Sequence, residues 1–320
     1  MKYIITFLTC ITMGLTADGK LGGVTYFDFL SADDSTAFNF QRQYFSYAVD
    51  MSDDIRFKVI FDVGRSWKQD NRFNTFLKKA QVDYKTSFGK VSMGLIGMNT
   101  YSIQENTWGY RFVEKSAIDK NEFSSTTDIG IEFSRSLIKN LNISLQVVNG
   151  EGYKQPQKDK YHKISFNAIY GEPKLNKNDG YNAGVVYSTE ATDNDPINMI
   201  SIFGGFSEKG VRIGAEYDQL GQGDAEENII SISANYAIRE SLDAYIRYDL
   251  YDPDANYTYK QETYVEGDDK DKLSSNYIIA GILFNCGNGL SAAPNIRITS
   301  VENSVKDFTT EYKINFQFIF

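Results

Sequence analysis

The last ten residues, EYKINFQFIF, set Tyr312, Ile314, Phe316, Phe318 and Phe320 between Glu311, Lys313, Asn315 and Gln317, with only Ile319 out of order. A period of two gives a strand one apolar and one wet face. A C-terminus is usually polar and frayed, so a strand that ends on Phe320 implies a partner that holds it. The same alternation recurs along the chain. Ile55, Phe57, Val59, Phe61 and Val63 oppose Arg56, Lys58 and Asp62. Val211, Ile213, Ala215 and Tyr217 oppose Arg212, Glu216 and Asp218, and Leu242, Ala244, Ile246, Tyr248 and Leu250 oppose Asp243, Arg247 and Asp249.

The pattern predicts sixteen strands. Eight lie near 21–30, 38–49, 55–64, 76–86, 90–98, 128–135, 142–149 and 160–170. Eight more lie near 180–188, 197–205, 210–218, 227–237, 241–250, 275–285, 293–302 and 310–320. In the second strand Phe38 and Phe40 have the opposite parity to Phe45, Tyr47 and Val49, which calls for a bulge near Gln41 to Gln43 or an inward aromatic pair. Residues 277–284 are apolar on both faces and assign no direction.

Composition agrees, with Tyr and Phe at 22 each and only 5 Pro, a mixture that favours strands. No apolar run reaches the ~18 residues of a membrane-spanning helix, which argues only against helical spans. The mean hydropathy of −0.39 is compatible with a transmembrane barrel, because half of each strand faces water. Connections after even strands, such as 50–54 and 87–89, are mostly short, whereas those after odd strands are mostly longer and reach extremes at 99–127 and 251–274. A soluble sandwich has no reason to segregate its loops, or to place two or three charges on one face of so many strands. The expectation is therefore an all-β fold: a transmembrane antiparallel β-barrel of sixteen strands, with short periplasmic turns, long extracellular loops and a wet, charged lumen.

Residues 1–17 carry Lys2, an apolar stretch over 3–15, and small Gly14 and Ala17, the layout of a secretory signal peptide. Its removal leaves 18–320 as one barrel domain, placed in a Gram-negative outer membrane after Sec-type export. Cys286 is then the sole cysteine, and with His162 it offers no zinc spacing. No phosphate-binding glycine loop is present. Neither metal, cofactor nor nucleic-acid partner is expected.

The connection between the fifth and sixth strands contains WGYRFVEKSAID at 108–119, followed by STTDIGIEF at 125–133 and VVNGEGY at 147–153. These stretches resemble bacterial porins, including the phosphate-selective porin O/P-like group, with a sequence-level core at 95–153. The resemblance implies a channel for passive diffusion of small hydrophilic solutes and ions, narrowed by a third loop folded inward. Trp108 and Tyr110 would anchor that loop while Arg111, Glu114, Lys115 and Asp119 project charge into the pore. It also implies a homotrimer, contact with outer-membrane lipid and lipopolysaccharide, and a terminal aromatic pattern (Tyr312, Phe316, Phe318, Phe320) read by the barrel-assembly machinery. The polar stretch Ser66 to Phe76 is suited to reaching across a subunit boundary.

The expected pore-lining cations are Arg42, Arg56, Lys58, Lys79, Arg212, Arg247, Arg297 and Lys313, set against Asp62, Asp83, Asp128, Glu132, Glu216, Asp218, Asp243, Asp249 and Glu311. Near balance implies weak ion selectivity, so phosphate specificity does not carry over, and acidic outer loops would enrich cations modestly. Two alternatives remain at this level. One is an outer-membrane hydrolase built on His162, for which no serine partner stands out; the other is a structural or adhesive barrel without an open pore.

Overall fold

Strands that are greasy on one face and wet on the other satisfy lipid and water together only when their sheet has no free edge. The computed structural model describes residues 18–32, 35–65, 72–253, 274–301 and 308–320. Residues 1–17, expected to be a signal peptide, most of 251–274 and part of Ser66 to Phe76 lie outside the described residues. The first eight strands are β1 (Lys20–Ala32), β2 (Ser35–Asp50), β3 (Ile55–Arg65), β4 (Phe73–Thr86), β5 (Gly89–Gly97), β6 (Thr127–Ile138), β7 (Leu141–Val148) and β8 (Lys163–Gly171). The second eight are β9 (Gly180–Glu190), β10 (Ile197–Glu208), β11 (Val211–Gln222), β12 (Ala225–Arg239), β13 (Leu242–Asp252), β14 (Ser275–Gly287), β15 (Leu290–Val301) and β16 (Thr309–Ile319). All sixteen expected strands are present, each paired with its sequence neighbours in one closed barrel.

Closure is made by β1 and β16, antiparallel from Val24↔Ile319 to Ala32↔Glu311. The last residue belongs to this seam. Gly23 N–H donates to Phe320 O at 2.9 Å and Phe320 N–H to Gly23 O at 3.1 Å, while the Phe27 and Phe316 rings stack at 4.7 Å. The faces are sorted as the alternation requires. Ile131, Ile202, Ile232 and Ile246 are 50–58% exposed on the outside, whereas Asp62, Gln146, Ser201 and Asp218 are fully buried within. Apolar outside and polar inside inverts a soluble protein and suits a lipid surround.

Of five register shifts among the described strands, three lie at strand ends beside short turns and two alter the alternation within a strand. Tyr26 pairs Arg42 while Phe27 pairs Phe40, so Gln41 is the extra residue, as the parity break in β2 anticipates. Ile60 pairs Lys79 while Phe61 pairs Leu77, which makes Lys78 the extra residue of β4. After such an insertion, neighbouring side chains share a face. Lys78 and Lys79 accordingly both turn into the lumen, as do Gln41, which donates to Asp28 Oδ2, and Arg42, which pairs with Asp62.

Loop lengths depart from strict segregation at three places. Two residues join β1 to β2 and two join β11 to β12, while eight join β8 to β9 on the short-turn rim. That longer turn folds inward. Leu175 is 1% exposed, and the Pro173 carbonyl accepts from Asn106 Nδ2 at 3.3 Å, so the turn supports the loop described next.

Deleting Phe320, which removes two ladder hydrogen bonds at the seam, should lower the yield of heat-modifiable folded barrel several-fold on semi-native gels. An unchanged yield would show that the end of β16 is dispensable for closure.

Candidate functional site

Residues 98–126 leave β5 and turn into the barrel rather than away from it. Their root is fixed by Asn99, whose N–H donates to Gln146 Oε1 (3.1 Å) and whose carbonyl accepts from Asn167 Nδ2 (2.8 Å). At the far end, the Asp128 carboxylate accepts backbone N–H bonds from Gly150 and Gly152, tying the next loop down beside it. Two short helices follow the root, α1 (Ser102–Trp108) and α2 (Ala117–Lys120). Gly109 ends α1 at φ 78, a left-handed conformation that glycine adopts without strain, and its N–H donates to Glu105 O. Helix α1 lies so close to β10 and β11 that a Cβ on Gly205 or Gly214 would come within 2.7 or 2.5 Å of Thr107 Cγ2.

The loop has an apolar underside. Ala117, Ile118 and Phe123 pack with Met199, Phe203, Leu220 and Ile229 of the wall. Trp108, Tyr110, Phe112 and Val113 pack with Tyr245, Tyr277 and Ile279. This explains the two-sided apolar pattern of β14: Tyr277 and Ile279 face the loop, and Ile282 and Phe284 face outward. Burying each large apolar side chain out of lumen water contributes ~1.5–3 kcal/mol.

Three arginines of the wall then hold the loop backbone. Arg212 Nη2 donates to Trp108 O (3.0 Å), Arg247 Nη1 to Lys115 O (2.6 Å) and Arg297 Nη2 to Val113 O (2.6 Å). Arg247 also forks onto Asp249, with Nη2 to Oδ2 at 2.7 Å. Arg297 Nη1 reaches Glu114 Oε2 at 2.9 Å, where Tyr277 OH also donates. Burial alone would raise the Glu114 carboxyl, but Arg297, Lys120 and Arg247 around it bring it down to about 2.

These contacts correct part of the sequence-based assignment. Arg247 and Arg297 are 1% and 7% exposed and serve as loop anchors, not as water-facing pore lining. Arg212 is engaged likewise, Glu216 lies beneath the loop, and Asp243 accepts from Tyr110 OH at 3.3 Å. Glu114 points at the wall instead of into the channel. The reason is one of coverage: strand parity places these groups inside, and the docked loop then covers them.

The loop's other surface carries Arg111, which pairs with Glu105 at 3.1 Å and Asp119 at 3.3 Å; Lys115 lies 3.6 Å from Asp119. Arg111, Lys115 and Asp119 are thus brought together in one cluster, and Glu105, which the sequence did not single out, joins them. Across the lumen, Arg42 pairs with Asp62 at 2.6 Å, and Tyr153 OH donates to the same carboxylate at 2.9 Å. Lys58, Lys79, Asp83 and Glu132 are part-exposed on this wall, with Lys90 near Asp83 and Glu132. Arg56 is exposed beside Asp50 at the turn rim. Lys78 and Lys154 were not anticipated, and both lie against aromatic rings. His162 is exposed just ahead of β8, away from this cluster.

No family profile and no curated protein sequence matches the chain. Solved structures do. The OmpF structure of Salmonella typhi is 12% identical with a TM-score of 0.66, covering 95% of this chain and 98% of that one. An anion-selective porin from Comamonas acidovorans is 12% identical with a TM-score of 0.64, over 95% and 100% of the two chains. The trimer form of OmpT, an outer membrane protein of Vibrio cholerae, is 9% identical with a TM-score of 0.64, over 95% and 99%. The chain therefore has the closed sixteen-strand fold of the outer-membrane porins.

Ile118→Asp would place an unpaired charge in the apolar underside and forfeit at least the ~2–5 kcal/mol of a lost buried isoleucine. The loop should then become cleavable by protease within 99–127 while the barrel stays folded. The Glu114 anchor has its own signature. A depressed carboxyl contributes fully above its ordinary value near 4.5, and that contribution is lost as pH falls towards about 2. Hydrogen exchange of the loop, corrected for intrinsic rates, should accelerate over that interval, and Glu114→Gln should abolish the pH dependence.

Proposed function

We propose that the protein is a porin, a water-filled channel through which small hydrophilic solutes and ions cross an outer membrane passively, with no enzymatic step. The carrying observation is the inward loop, docked on the β9–β15 side, facing a polar and part-exposed β2–β6 wall. Such a lumen offers water-like hydrogen bonding to a solute along its path, and charges facing each other across a narrow gap order that water. The apolar outer belt and the outer-membrane origin of the structural neighbours support the location.

The proposal extends to export, assembly and oligomeric state. Residues 1–17 act as the export signal for 18–320 and direct it to a Gram-negative outer membrane through a Sec-type route. The trimer form of the Vibrio cholerae neighbour supports a homotrimer. Outer-membrane lipid and lipopolysaccharide surround the barrel, and the barrel-assembly machinery reads Tyr312, Phe316, Phe318 and Phe320, which lie on or beside the closing strand.

Purified protein in planar bilayers should give stepwise openings. Deleting 104–122 should raise the unit conductance, because it removes most of α1, all of α2 and the whole cluster of Glu105, Arg111, Lys115 and Asp119. A folded barrel that never conducts would rule out the channel, and an unchanged conductance in the deletion would place the narrowing elsewhere.

A further inference from the structure

The wall and loop charges nearly cancel when counted along the sequence, yet the fold does not expose them equally. The loop covers the carboxylates of β11–β13: Asp218, Glu227 and Asp249 are 0–2% exposed beneath it. On the uncovered side most carboxylates lie beside cations, while Asp28 and Asp128 are held by amide and backbone N–H donors. Asp62 has Arg42, Asp83 and Glu132 share Lys90, and Glu105 and Asp119 share Arg111 and Lys115.

Four lysines on that side have none. Among the described residues, Lys58, Lys78, Lys79 and Lys154 make no ion pair. Lys79 faces inward from β4, and Lys58 is its diagonal neighbour on β3, since Lys58 pairs Gln81 and Ile60 pairs Lys79. The β4 bulge adds Lys78 next to Lys79 on the same face. Lys78 Nζ sits 5.0 Å from the Tyr44 ring centroid and 5.6 Å from that of Tyr153. Lys154 reaches the far side of the same region, 5.5 Å from the Tyr153 ring and 5.2 Å from that of Phe76. An aromatic face positions an ammonium without neutralising it.

We infer that these four lysines make the constriction prefer small anions, so that chloride and other small oxyanion or halide solutes pass more readily than cations of similar size. The inference rests on the open-channel reading and reverses the modest cation enrichment expected from the outer loops. The bulge decides it, because a regular β4 would point either Lys78 or Lys79 into lipid. Vestibule charges act through solvent and are screened by salt, whereas lysines lining a narrow passage act on an ion at close range.

The test is the reversal potential of the purified protein in potassium chloride gradients at about 0.1 M and about 1 M salt, where the screening length falls from ~10 to ~3 Å. The wild type should show an anion-to-cation permeability ratio above unity at both concentrations. The combined variant Lys58→Gln, Lys78→Gln, Lys79→Gln and Lys154→Gln should lower that ratio several-fold, to unity or below, while Lys85→Gln at the turn rim should leave it unchanged. If the folded wild type does not conduct, the channel reading falls and this inference with it. If it conducts with equal permeability or a cation preference at 1 M, only the inference is overturned, whether or not the variants fold. An anion preference that survives the combined variant would remove these lysines from the explanation.

Discussion

In hydrocarbon an unpaired backbone N–H or C=O costs several kcal/mol, because no water replaces the missing partner. That cost makes the β1–β16 seam the condition for everything else, and it is why the backbone bonds between Gly23 and Phe320 reach the last residue of the chain. Closure divides the surroundings into lipid outside and water inside. Lipid gives outward isoleucines little reason to associate further, since tails are as apolar as the side chains. Inside, water restores the hydrophobic effect, and Phe112, Ile118 and Phe123 gain by leaving it. A loop can dock within the barrel because the barrel closes around water.

Apolar burial alone would let the loop slide. Its position is specified by polar anchors whose geometry suits guanidinium better than ammonium. Each of Arg247 and Arg297 uses one side of its planar fork on a carboxylate and another on a loop carbonyl, contacts that a lysine's single ammonium could not reproduce in that arrangement. The carboxylates Asp249 and Glu114 compensate the buried positive charge, so the desolvation of the arginines is offset locally. The loop's backbone carbonyls are satisfied by the same groups. The anchored half of the lumen is consequently a packed interior, and only the β2–β6 side keeps the character of a wet wall.

The fold was legible in the sequence because the medium writes it there: lipid and water on opposite faces enforce a period of two on every strand, and even the β2 bulge shows as a break in parity. The site was legible only in part. Arg111, Lys115 and Asp119 could be placed together because they lie within one loop. Arg212, Arg247, Arg297 and Glu216 were placed correctly on the inner face but misread as channel lining, since which part of a lumen a distant loop covers leaves no mark in local periodicity. The apolar inner positions Tyr277 and Ile279 were the one local hint of that coverage. Lys78 was missed for a different reason. Strict alternation sends one of two adjacent lysines into lipid, where a charge near the midplane costs ~2–4 kcal/mol, so the pair Lys78-Lys79 was itself a signal of a bulge.

The loop and the wall that faces it are therefore built on different principles. On the loop, Arg111 is set between Glu105 and Asp119, and the pairing that orders these groups also cancels most of their charge. On the facing side, Lys78 of β4 and Lys154 of the β7–β8 connection are ordered against the rings of Tyr44, Phe76 and Tyr153. A carboxylate in place of any of those rings would fix a lysine more tightly and remove its monopole from the passage. An aromatic face attracts the ammonium through its quadrupole, a field that falls off faster with distance than that of a charge, so the lysine stays in place while its charge is felt across the gap. The bulge in β4 serves the same end by placing a second lysine beside Lys79 without exposing either to lipid. Fixed geometry and unspent charge are hard to combine with salt bridges alone, and aromatic seating reconciles them.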